Sequence, residues 1–159
     1  SAAGIVEAVD EGNSRFRVGD RVACGGAECA FHAEYIAVPD MLVGRVPEQV
    51  PMWQAAYTTL LSIAMQAVRQ TEPRLGDRVL VMGQGLVGLL VTGLLKANGA
   101  RVMAVDLAES RREHASAMGA ERVVISSSQD LQNEVREWTD GHGVDAAVVC
   151  VGTDRNAPI

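Results

Sequence analysis

Residues 79–106, VLVMGQGLVGLLVTGLLKANGARVMAVD, decide how this chain folds. Val79–Met82 is an apolar run that reads as a strand, and Gly83-x-Gly85-x-x-Gly88 follows it directly. A helical apolar pattern comes next, then a second apolar run, Val102–Val105, closes on Asp106. Glycine-rich sequence is common, so the glycines alone say little; their place between strand and helix, with an acid ending the next strand, is what carries the reading. Gly83 permits a tight turn, Gly85 lets a pyrophosphate approach the backbone, and Gly88 lets helix and sheet pack closely. The helix N-terminus supplies unpaired N–H groups and the positive end of its dipole. Asp106 is placed to accept hydrogen bonds from ribose hydroxyls, which favours NAD(H) and leaves NADP(H) as the second candidate. The bland alternative is an ordinary glycine turn. The expected cofactor-binding set is Gly83, Gln84, Gly85, Leu86, Val87 and Gly88, with Asp106, Arg111 and Val151.

Outward from this stretch, the alternation continues. Leu75-Gly76-Asp77 turns the chain into a first strand at 78–82, and Asn98-Gly99 caps the helix, which carries Leu86, Leu89, Leu90, Gly93 and Leu94 toward a sheet. A second strand is predicted at 101–105, a helix at about 109–118, and a third strand at Arg122–Ile125. Ser128 is a suitable N-cap for a helix with Leu131, Val135 and Trp138 on one face. Asp145 opens a fourth strand, Val144–Val151. Strands alternating with helices predict a parallel doubly wound sheet, in the order 3-2-1-4. The one low-complexity stretch is Ser126–Ser128.

The first third reads differently. Residues 3–9, 21–24 and 33–38 read as short antiparallel strands separated by turn chemistry, and Pro39, Pro47 and Pro51 punctuate the stretch after them. Residues 54–70 then turn helical. The expected division is a partial antiparallel segment, 1–50, and a partial dinucleotide-binding domain, 51–159.

Composition narrows the function classes. The chain has 159 residues with 48% hydrophobic, enough for a core and too apolar for a disordered chain. A net charge of −6 argues against nucleic-acid binding, which favours clustered basic residues. Three cysteines, Cys24, Cys29 and Cys150, make no disulfide framework, so a reducing cytoplasm is expected. No apolar stretch is long enough to span a membrane, and SAAGIVEAVD lacks the features of a signal peptide.

Several stretches in consistent order resemble one family: Gly19-Asp20-Arg21-Val22, AEYIAVP at 33–39, the helix at 55–68, Gly76-Asp77-Arg78-Val79, MGAERVV and GHGVDAAVVCVG. Together they resemble the medium-chain dehydrogenase/reductases of the zinc-type alcohol dehydrogenase-like group. Tyr57-Thr58-Thr59-Leu60 with Ala67-Val68-Arg69-Gln70 is similar to the subgroup fused to a second oxidoreductase domain in some bacterial surface-polysaccharide proteins. The resemblance implies a GroES-like catalytic domain followed by a Rossmann domain, with hydride transfer between a nicotinamide and a carbonyl, alcohol or activated alkene. It also puts Tyr57, Thr58 and Thr59 near the nicotinamide pocket as candidate catalytic residues. Packing at a helix N-terminus explains the same residues equally well.

The departures set further expectations. Ser1-Ala2-Ala3-Gly4 corresponds to the middle of the family's catalytic domain, and the position of its third zinc ligand falls near Thr59. Cys24-x4-Cys29-x2-His32 offers three ligand types at an unusual spacing with no fourth nearby, so no metal is expected. His114 and His142 have no acid partner at a relay spacing, and no nucleophile constellation supports hydrolysis. The family's sheet has six strands and this chain supplies four. A piece of a longer enzyme, weakly active or inactive by itself, is therefore expected, or a sheet edge completed by a homo-oligomer or partner. A dinucleotide-binding module without turnover and a structural interaction domain are the competing readings.

Overall fold

The computed structural model describes residues 1–12, 15–125 and 128–152, with backbone alone for 128–130. Residues 126 and 127 of the Ser126–Ser128 stretch and the cap expected from the Ser128 side chain fall outside that set. The chain divides into two compact units, Ser1–Ser62 and Ile63–Ile159.

In the first unit, β1 (Ala2–Ile5), β2 (Arg21–Cys24) and β3 (Val43–Arg45) form an antiparallel sheet in sequence order. Side chains alternate across β2, as pleating requires. Val22 and Cys24 join Phe16 and Ala30 in one cluster, while Ala23 joins Val46 and Ala55 in another. The strand expected at 33–38 does not form. Ile36 and Val38 still pack against the Phe16 cluster, but from a loop outside the ladder. The partner of β2 is instead β3, which pairs Val22 with Arg45 and Cys24 with Val43. The strand expected at 3–9 is shorter, because pairing with β2 runs only from Ala2 to Ile5. The helix expected at 54–70 is two, α1 (Met52–Ala55) and α2 (Thr58–Thr71). Between them the Tyr57 N–H bonds the Gln54 carbonyl at 3.0 Å, and the Thr58 hydroxyl donates to the Ala55 carbonyl at 2.7 Å.

In the second unit, β4 (Arg78–Met82), β5 (Arg101–Asp106), β6 (Arg122–Ile125) and β7 (Ala146–Val149) form a parallel sheet in the order β6-β5-β4-β7. This is the expected 3-2-1-4 arrangement. Helices α3 (Leu86–Asn98), α4 (Arg112–Ala117) and α5 (Ser128–Trp138) connect the strands. Both sheet faces are covered, so the strands read as apolar runs without polar alternation. Val79, Val81 and Val102 pack with Val91 and Leu95 of α3 on one face. Leu80, Met103, Val105 and Val124 pack with Leu131 and Trp138 of α5 on the other.

The face of α3 differs from the sequence reading. Its buried residues are Gly88, Val91, Thr92 and Leu95, and Leu86 is 46% exposed. The close approach of Gly88 sets the stripe, which then recurs at i+3, i+4 and i+7. Leu90 and Leu94 pack at its margin, and Gly93 lies against Met118. The helix ends as expected. Gly99 is left-handed (φ +96°), Ala100 N–H bonds Leu95 O, and Gly99 N–H bonds Lys96 O, the paired bonds of a Schellman motif.

At the other end of the chain, Asp145 opens β7. Its carboxylate accepts the Arg78 N–H at 2.7 Å, and its own N–H donates to the Arg78 carbonyl at 2.9 Å, fixing the β4–β7 register. No helix of the described residues is long and apolar enough to cross a membrane.

Candidate cofactor site

The site lies at the carboxyl ends of β4, β5 and β7, where open α/β sheets bind ligands at a switch in strand order. Strand β4 runs into Gly83, whose N–H bonds the Val105 carbonyl of β5 at 2.7 Å. Gly83 has φ +89°, and a Cβ there would stand 2.7 Å from Val151 Cγ1 and 2.9 Å from the Cys150 carbonyl oxygen. Backbone conformation and space both demand glycine. Gly88 is required for space alone, because a Cβ would run into the Gly83 carbonyl oxygen.

Gly85 is different. Its φ of −71° suits any residue, and a Cβ would meet nothing within 4 Å. The fold does not need glycine here. The space in front of it, at the start of α3, is open. Among the described residues no side chain caps the helix at Gly85, and the first N–H groups of a helix have no acceptors within it. An anion of pyrophosphate type fits this opening.

Asp106 ends β5 beside this turn. Its Oδ2 accepts the Gln84 N–H at 2.7 Å, and its Oδ1 accepts the Ala108 N–H at 2.9 Å. Burial pushes this carboxyl up, but backbone N–H bonds from Ala108, Gln84 and Leu107, with the charge of Arg111, outweigh it and hold it below the ordinary carboxylate value. It therefore stands as a fixed anion. A carboxylate has about four lone-pair directions, so beside these backbone N–H groups it keeps capacity for about one hydroxyl donor.

The remaining predicted residues divide. Gln84 gives its N–H to Asp106, while its side chain is wholly buried. Val87 packs into the core, Leu86 faces solvent on the first turn of α3, and Val151 lies against Gly83. Arg111 is exposed at the end of a 3-10 turn, with no ion pair among the described residues. Arg112 is bound to Glu109 and to the Val123 carbonyl. Sequence reasoning missed Thr92, whose hydroxyl donates to Gln84 Oε1 at 3.1 Å. A signal was present: Thr92 is the one hydroxyl in the apolar run of α3.

The three catalytic candidates belong to the first unit. Thr58, Thr59 and Ser62 line an open groove of about 330 Å³ with Cys24, Gly25 and Met41. Tyr57 is outside that lining and 47% exposed. Each lining hydroxyl spends its proton on a backbone carbonyl. Thr58 donates to Ala55 at 2.7 Å, Ser62 to Thr58 at 3.0 Å, and Thr59 to Cys24 at 3.5 Å. The last bond is long enough to be weak, so Thr59 holds the proton most readily re-aimed. Burial pushes the Cys24 thiol up. His32 is exposed, His114 contacts the Ser110 carbonyl of its own turn, and His142 is exposed after Gly141. Among the described residues, no three His, Cys, Asp or Glu side chains gather as a metal-ligand group.

Comparison with known proteins agrees with this architecture. Residues 87–157 match the model of the zinc-binding dehydrogenase family. A (R,R)-butanediol dehydrogenase of Bacillus subtilis (strain 168) is 33% identical, over 94% of this chain and 50% of its own length. A probable quinone oxidoreductase of Schizosaccharomyces pombe is 38% identical, over 96% of this chain and 47% of its own. The solved structure of mycobacterial Rv1454c complexed with NADPH superposes with a TM-score of 0.78 at 32% identity, covering 91% of this chain and 47% of that one. The chain belongs to the medium-chain dehydrogenase/reductase family. It spans about half the length of these relatives.

Proposed function

We propose that the protein is an NAD(H)-dependent oxidoreductase that moves hydride to or from a carbonyl, alcohol or activated alkene without a catalytic zinc. The observation carrying the cofactor half is Gly85: a glycine the backbone does not need, at the mouth of a helix whose first N–H groups have no acceptor within it. The pyrophosphate would lie against Gly85 and the first turn of α3, and Asp106 would accept from the adenosine ribose diol. When bound, the nicotinamide supplies the hydride or takes it up.

Asp106 also favours the unphosphorylated cofactor. A 2′-phosphate would bring negative charge against a carboxylate pinned by two backbone N–H groups. Arg111, which has no ion pair among the described residues, and not the engaged Arg112, is the residue that would soften this preference.

The zinc-free reading rests on donor chemistry. Thr59 stands where the resemblance puts a ligand, and a threonine hydroxyl binds zinc poorly beside thiolate, imidazole or carboxylate. In that groove Thr59 would orient a carboxamide or substrate oxygen. Cytoplasmic placement and assembly through the sheet edge are further parts of the proposal.

The test is NADH titration followed by fluorescence, on the wild type and on Gly85→Asp. We expect saturable binding in the wild type and none in the variant, with unchanged circular dichroism. Equal binding by both overturns the site. A second reading, a dinucleotide-binding module without turnover, draws on the groove hydroxyls, whose protons all go to backbone carbonyls. Turnover against a panel of ketones and enoyl substrates separates the two.

A further inference from the structure

We propose that Gln84 and Thr92 form a buried positioning pair that aims the Gln84 backbone N–H at Asp106 and so fixes that carboxylate. The proposal's meaning for cofactor choice rests on the NAD(H) reading above. Gln84 lies between Gly83 and Gly85, in what would be the least constrained part of the turn. Its side chain removes that freedom. Nε2 donates to the Val81 carbonyl at 3.1 Å, and Oε1 accepts from Thr92 Oγ1 at 3.1 Å. Gln84 and Thr92 both have no solvent exposure. A wholly buried amide is unfavourable unless both of its ends are paired, and an apolar residue could occupy the same space without that demand.

The pair therefore answers a need other than filling the core. It anchors Gln84 to strand β4 on one side and helix α3 on the other. With the side chain turned inward, the same residue's N–H points to Asp106 Oδ2 at 2.7 Å. Without that bond, Asp106 would keep only the N–H contacts of its own loop, from Leu107 and Ala108. Those contacts tie the carboxylate to its own loop and leave it free to move relative to the glycine turn. Thr92, buried beneath the turn, thus acts on the ribose-reading group through Gln84.

Thr92→Val keeps the side-chain shape and removes the hydroxyl. Carbon-13 NMR of the nucleotide-free protein would follow the Asp106 carboxyl during titration, and calorimetry would give the NADH and NADPH affinities. In Thr92→Val we expect the Asp106 pKa to rise toward the ordinary carboxylate value. We also expect NADH binding to weaken by roughly tenfold, as the loss of a buried hydrogen bond implies, with NADPH binding much less affected. Thr92→Ser should restore both. If Thr92→Val does not fold, Gln84→Leu is read in the same way, with the same expected shifts. An unmoved Asp106 titration with equal losses for both nucleotides overturns the pair. A shifted Asp106 in a protein that binds neither nucleotide upholds the pair and overturns the cofactor reading instead.

Discussion

At the scale of single residues, three glycines of one turn stand in three different situations. Gly83 is held by its φ of +89° and Gly88 by the carbonyl oxygen it would strike, while Gly85 has open space in front of it, which the proposed site fills with a pyrophosphate. They should separate by experiment. Gly88→Ala is expected to destabilise by about 1–3 kcal/mol, the usual cost of overpacking, read as a lower urea midpoint. Gly85→Ala should leave that midpoint unchanged while weakening NADH binding. A second device recurs at this scale. Arg17-Val18-Gly19-Asp20 and Arg74-Leu75-Gly76-Asp77 each close with a backbone bond from the aspartate N–H to the arginine carbonyl, at 3.0 and 3.1 Å. In each, the aspartate carboxylate accepts the arginine N–H, at 2.8 and 2.7 Å. Gly76 has φ +87° and open space around it, so Gly76→Ala should cost about 1 kcal/mol from backbone strain alone. The need for glycine at 83 and 88 and the place of Asp106 at the end of β5 were legible in the sequence because they are local. The Gln84–Thr92 bond was not, since it joins a turn to a helix face that only packing defines.

Among the elements, the parallel strands were the most legible and the antiparallel ones the least. Val79–Met82 and Val102–Val105 are buried on both faces, so their apolar runs need no knowledge of partners. Residues 33–38 are apolar enough for a strand, yet β2 pairs instead with Val43–Arg45, a three-residue strand containing a glycine. Short strands are chosen by pairing, which sequence periodicity does not record.

Charge also ties elements together. Arg101 at the start of β5 forks onto Glu121 before β6, at 2.8 and 2.5 Å, and its guanidinium lies over the Trp138 ring of α5 at 5.8 Å. Trp138 Nε1 donates to the same carboxylate at 3.2 Å. The Arg101 hydrogen bonds dominate, and the Glu121 pKa falls from 4.5 to about 2. A depressed folded-state pKa contributes stability above the unfolded value, lost as pH drops from 4.5 toward about 2. Both side chains are over a third exposed, so solvent screening keeps the pair to about 1 kcal/mol or less. Urea melts at pH 6 and pH 3 should show Arg101→Leu losing more stability at the higher pH, and equal losses would contradict this.

For the whole molecule, the chain covers about half of its relatives' length. Strand β7 pairs with β4 alone among the described residues, and Val149 on it is 61% exposed. An apolar strand in that position is a template for further pairing. Val149→Lys is expected to reduce self-association, measured by sedimentation velocity at rising concentration, with NADH binding retained. Family and fold could be read from the order of strands, turns and helices along the chain. The substrate could not, because the hydroxyls of Thr58, Thr59 and Ser62 each donate to a backbone carbonyl, Thr59 only weakly, and none of these bonds reads a substrate.

The most direct test of the central claim is paired calorimetric titration of NADH and NADPH into the wild type and Asp106→Ser. Tighter NADH binding is predicted in the wild type, with a narrower gap between the two nucleotides in the variant. Tighter NADPH binding by the wild type, or a gap that Asp106→Ser leaves unchanged, would contradict it.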